Sequence, residues 1–121
     1  MTKWFYRGAT LAIAALTAAV AMGDPARNKD PTAAEIVTEW KTSNQGRPLM
    51  EMVAMATYNG FLWALAGRDP KPFCFHGNAP QTGRELLGIL DVAVTADERV
   101  ADLPYGEVLF VALQRLFPCR S

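Results

Sequence analysis

Histidine occurs once in this chain, at His76, and cysteine only twice, at Cys74 and Cys119. A hydrolase of the usual kind needs a nucleophile beside a positioned base, or a cluster of metal ligands, and one histidine leaves little to build either. A zinc site on Cys74, His76 and Cys119 would lack a fourth protein ligand and the paired spacing that marks such sites. His76 therefore reads as a loop residue; the sequence assigns no catalytic, cofactor-binding or metal residues, and the chain is expected not to be an enzyme. An excess of charge of one sign is also missing. With 12 basic and 12 acidic side chains, nothing here attracts nucleic acid. No stretch sustains a period of two, so no sheet is expected, and internal repeats are absent. No uncharged apolar run reaches the roughly 20 residues that cross a bilayer.

What is present begins with a leader. Lys3 and Arg7 precede a charge-free stretch from Gly8 to Gly23, rich in Ala, Leu, Ile and Val, which ends in the small-x-small sequence Ala19-Val20-Ala21 before Asp24-Pro25. This is the layout of a secretory signal, with cleavage expected after Ala21 or, in the alternative frame, after Gly23. The uncleaved alternative is an N-terminal anchor, and no cysteine near the cleavage site supports a lipid anchor. Residues 1–23 are thus read as a signal peptide, and residues 24–121 as one domain that works outside the cytoplasm. Removing the leader takes away two basic residues and no acidic ones, which leaves the remainder slightly acidic.

A domain of about 100 residues supports only a modest core, so a covalent staple matters. An even pair of cysteines in an exported chain reads first as a disulfide, here Cys74 to Cys119. Closing that loop is worth roughly 4 kcal/mol in the chain-entropy model.

The hydrophobic periodicity predicts an all-α fold of four helices. Either Asp30 with Pro31, or Thr32 with Glu35 as a capping box, starts a first helix of about ten residues through Trp40. The second helix runs from Pro48 to Gly67. Leu49, Met52, Val53, Ala56, Gly60 and Trp63 repeat at three and four along one side, while Met55, Tyr58, Phe61, Leu62 and Leu65 make the opposite side apolar too. A helix apolar on most sides is expected in the middle of a bundle. On that reading Met50, Met52 and Met55 are core gap fillers, and Gly60 lets another helix approach closely. Glu51, Thr57 and Asn59 argue against a membrane span. Thr82 to Glu85 fits the capping box of a third helix with Leu86, Leu87, Ile89, Leu90, Ala93 and Val94 buried. An irregular charged stretch follows from Thr95 to Asp102. The last helix covers Pro104 to Phe117, with Val108, Leu109, Val111, Ala112, Leu113 and Leu116 inward and Pro118 as the stop.

Carboxylates are plentiful, but Glu35 and Glu39, like Asp97 and Glu98, read as solvated stripes. The connection between the second and third helices is more informative. Pro70 and Pro72 stiffen it and so reduce the cost of ordering it against a partner. Asp69, Lys71, Phe73, Phe75 and His76 are therefore the candidate partner-binding residues. One of Phe73 and Phe75 could be displayed beside the cystine, or both could cover the core.

Several short pieces stand in a telling order: Tyr58-Asn59-Gly60 in the second helix, Phe73-Cys74, Gln81-Thr82-Gly83-Arg84-Glu85-Leu86-Leu87 at the third helix, then Ala112-Leu113 and Phe117-Pro118-Cys119. From Met55 to Cys119 this order resembles the Rap/Tai family of immunity proteins from Gram-negative bacteria. The resemblance implies a small helical periplasmic protein, often a homodimer, that neutralises a peptidoglycan-cleaving amidase effector of a type VI secretion system by occlusion. It also implies Cys74 and Cys119 as the structural pair and Tyr58 and Gly60 as packing residues. Many family members carry a further cysteine pair before and within the central helix; this chain has none there. The alternative reading is a small periplasmic helical chaperone or stress protein.

Overall fold

The computed structural model describes residues 30–120; the expected leader, its cleavage sites and the resulting domain boundary lie outside them. Within these residues are four α-helices, α1 (Ala33–Thr42), α2 (Gly46–Leu65), α3 (Gly83–Ala96) and α4 (Tyr105–Leu116), with a 3₁₀ turn at Glu98–Val100 between the last two. No strand forms among them, only an isolated bridge between Thr32 and Pro104. The chain is thus all-α, and a disulfide joins Cys74 to Cys119 across 45 positions of sequence.

Of the two starts offered for α1, Thr32 is the one used: its hydroxyl accepts from the Glu35 N–H at 3.1 Å. The next orphan donors at this helix end go to a different part of the chain. Ala33 N–H donates to the Leu103 carbonyl (2.9 Å) and Ala34 N–H to that of Ala101 (3.0 Å), while Tyr105 N–H donates back to Pro31 (3.0 Å). The start of α1 and the start of α4 therefore cap one another. At α3 the predicted capping box forms in a displaced version. Thr82 accepts from Glu85 N–H at 3.1 Å, but the Glu85 carboxylate reaches the N–H of Gln81, one residue earlier than the cap.

The centre of the bundle is α3, which packs against α1, α2 and α4. Leu86, Leu87 and Leu90 of α3 meet Leu109 and Leu113 of α4 in the fully buried layer, and Ile36 and Val37 of α1 close it. Gly83 lies so close to the backbone carbonyl of Glu51 that a side chain there would run into it, which brings α3 and α2 together at their N-terminal parts.

Two expectations are corrected. The second helix is not central: α2 packs on α1 and α3, and through Thr57 and Phe61 on α4, along one side only, and its buried residues are Gly46, Ala54 and Tyr58. The side carrying Leu49, Met52, Ala56, Gly60 and Trp63 faces outward, so Met52 is not a core gap filler and Gly60 has nothing within reach of a Cβ. In α4, Val111 and Leu116 are likewise exposed, since α3 covers only the face of Val108, Leu109, Ala112 and Leu113. Both errors have one cause. Apolar periodicity fixes which residues share a face, but not which of two apolar faces a neighbour covers.

Candidate interaction surface

The candidate loop is built by what ends α2 and begins α3. Gly67 (φ 76°) and Gly77 (φ 98°) take left-handed backbone that side chains disfavour, and so bound the segment at two sharp turns. Between them Pro70 and Pro72 fix φ, and Cys74 is tied to Cys119 with a Cα–Cα distance of 4.8 Å. The Cys74 N–H also donates to the Phe117 carbonyl at 2.8 Å, so the loop is pinned to the end of α4 by a hydrogen bond as well as a covalent one. Cys119 Sγ lies 3.4 Å from the Lys71 carbonyl; a cystine sulfur has no proton to donate, so this is a packing contact.

The two phenylalanines beside Cys74 both turn inward. Phe73 is buried, and its ring meets Phe75 (5.5 Å between centroids) and Phe110 (5.7 Å). Phe75 is half-buried and sits edge-on to Phe117 (4.9 Å) and Tyr58 (6.0 Å). Phe61 continues the cluster onto Phe110 at 5.3 Å. Edge-to-face aromatic packing of this kind adds roughly 0.5–1.5 kcal/mol per pair to the area it buries. Tyr58 is covered by the same cluster, and its burial pushes the phenol above the ordinary range.

Of the five residues singled out in the loop, the structure thus leaves Asp69, Lys71 and His76 on the surface and puts Phe73 and Phe75 into the support beneath them. Everything from Ala66 to Lys71 is exposed. Around the cystine, Arg68, Asp69, Lys71 and Arg120 line one shallow cleft, which gives the loop face three cations and one carboxylate. Arg68 and Arg120 escaped the sequence reading because they are separated by 52 positions, and only the disulfide brings them to one place. The arrangement is suited to polar contact with a partner surface. Among the described residues no three His, Cys, Asp or Glu side chains gather into a metal-binding group, and no helix is long and apolar enough to cross a membrane.

Two further surfaces are apolar. One is the outward side of α2, where Trp63 is 83% exposed and Met52 68%. The other is a groove of about 270 Å³ between α3 and α4, floored by Ala93, Val108 and Ala112 and walled by Val92, Val111 and Leu116. Asp97 stands at its rim in a two-toothed contact with Arg99 (3.0 and 3.2 Å), which with the backbone N–H of Arg99 holds the Asp97 carboxyl below the usual range. Comparison with protein-family models, curated proteins and solved structures finds no match to this chain.

Proposed function

We propose that this chain is an exported, periplasmic immunity protein that binds a peptidoglycan amidase effector of a type VI secretion system and blocks it by occlusion. It performs no chemistry and needs no cofactor; protection consists of covering the enzyme's cleft. The observation that carries the reading is the loop between α2 and α3. A segment exposed from Ala66 to Lys71 is closed by the Cys74–Cys119 cystine and underpinned by the Phe73, Phe75 and Phe117 rings. Such a preformed polar protrusion loses little freedom on binding, which favours affinity at small contact area. The order of short motifs, which resembles that of the Rap/Tai immunity proteins, is what favours an amidase effector as the partner.

The test combines capture and inhibition. The oxidised protein, immobilised, is expected to retain one exported amidase in stoichiometric amount from lysate of the source strain and to lower its activity on peptidoglycan. Lys71→Ala combined with Asp69→Ala should weaken that complex at least about tenfold while leaving the melting temperature unchanged, because both side chains are exposed. Phe75→Ala, in contrast, reads on stability, since its ring belongs to the aromatic cluster. If the loop variants bind as well as the parent, the loop is not the inhibitory element.

The open apolar groove between α3 and α4 favours a second reading, a small periplasmic chaperone. That reading requires many substoichiometric clients in the same capture, where immunity requires one.

A further inference from the structure

We infer that the groove between α3 and α4 is a docking site for one amphipathic helix of a partner protein, lying antiparallel to α4 with an acidic residue over Arg115 and a basic residue over Glu107. The floor of the groove carries the small residues Ala93 and Ala112, which leave room for side chains to enter. Its volume of about 270 Å³ falls below the roughly 300–1,000 Å³ of pockets that engulf a small molecule. The walls decide how wide the occupant is. Val92 is 68% and Leu116 55% exposed. A single extended hydrocarbon chain lying on the floor would leave both wet, whereas a helix with its side chains, about 10 Å across, covers floor and walls together. An apolar stripe at i, i+3, i+4 and i+7 is what a groove of this kind receives.

Charge sets the direction. Glu107 and Arg115 both stand at the groove on α4, eight positions and so about 12 Å apart along the helix. Both are exposed, and among the described residues neither has a salt-bridge partner. The third charged residue of the lining, Asp97, is already taken by Arg99. The groove thus offers a carboxylate at one end, a guanidinium at the other and apolar surface between. A helix that answers both charges carries an acid and a base about two turns apart on the flank of its apolar stripe. Its own dipole favours the acid in its first turn and the base in its last, so its N-terminus falls at Arg115 and its C-terminus at Glu107. That orientation is antiparallel to α4 and sets the two helix dipoles against each other. A helix with its charges exchanged would meet carboxylate with carboxylate and guanidinium with ammonium, so the two ends discriminate where the apolar floor does not.

This inference does not depend on the amidase reading, because its test contains no amidase. The probe is a stapled helical peptide of about 14 residues with leucines at a spacing of three and four, glutamate in its first turn and lysine in its last. The control peptide has glutamate and lysine exchanged. In heteronuclear NMR of the oxidised protein the probe should shift the resonances of Val92, Val111 and Leu116 and leave those of Met52 and Trp63 in place. At low salt the probe should bind more tightly than the control. Glu107→Lys combined with Arg115→Glu alters only exposed side chains, so the melting temperature should hold while the preference inverts. The ratio of the two affinities, in which any difference in the peptides' own helix stability cancels, should change at least about tenfold from parent to double variant. Equal binding of both peptides overturns the inference in favour of an unselective apolar surface for unfolded clients. Shifts outside the groove, no binding at about 1 mM, or a double variant that keeps the parent's ratio overturns it as well.

Discussion

Removing the Cys74–Cys119 link by Cys74→Ser with Cys119→Ser is the perturbation whose size follows most directly from this architecture. The two cysteines are 45 positions apart, so the bond closes a long loop that contains all of α3 and α4. In the chain-entropy model a loop of about 46 residues costs the unfolded chain about 13.5 cal/mol/K, or about 4 kcal/mol at 25 °C. The folded state should change little. Cys74 N–H remains bonded to the Phe117 carbonyl, and Phe75 still stacks edge-on to Phe117, so both ends of the loop stay where the cystine holds them. Each kcal/mol shifts the midpoint of a domain this size by roughly 4–8 °C, which predicts a fall of about 16–32 °C in Tm with near-native circular dichroism below the transition. The assay is a pair of thermal melts, parent and double variant, followed in the far and near ultraviolet. A fall under about 5 °C would refute the reasoning, because it would mean that the aromatic contacts, and not the covalent link, restrain this segment in both states.

Two glycines of α3 should respond in opposite directions: Gly83→Ala drives a methyl into the Glu51 carbonyl and should cost about 1–3 kcal/mol, whereas Gly88→Ala, with open space at its Cβ, should stabilise by about 0.5–1 kcal/mol in urea melts. Thr82→Ala removes the hydroxyl that accepts from Glu85 N–H and should cost about 1 kcal/mol by the same measurement. Asp97 is held below the usual carboxylate range by Arg99, so its folded pKa lies under its unfolded one. Its contribution is complete at neutral pH and lost as pH falls from the usual carboxylate range through the lowered folded value. Comparing Asp97→Asn with the parent across pH 2 to 7 should show the difference in stability shrinking toward the acid end; a difference that grows there would contradict the assignment.

Much of the architecture was readable because punctuation and periodicity agreed. Thr32 and Thr82 each stand three residues before a glutamate at the start of a helix, and both caps form. The cystine followed from there being only two cysteines. The location of α2 did not follow, since Leu49, Met52 and Trp63 look as core-like in sequence as Met55, Tyr58 and Phe61. Which side is covered depends on where α1 and α3 dock, a tertiary fact without a local signal. The candidate site was half legible. Two prolines and a cysteine mark a rigid loop, yet whether Phe73 and Phe75 point out or in is decided by Phe110 and Phe117, more than 30 positions away. The cationic face made by Arg68, Lys71 and Arg120 exists only after the chain is closed on itself.

The most direct test of the immunity account is titration of the oxidised protein into the exported amidase captured with it from the source strain, with peptidoglycan cleavage as the readout. The account predicts that activity falls to background at one equivalent, and that Lys71→Ala with Asp69→Ala shifts the titration to higher concentration. Full cleavage at saturating protein, or a capture that yields many minor partners or none, would contradict it.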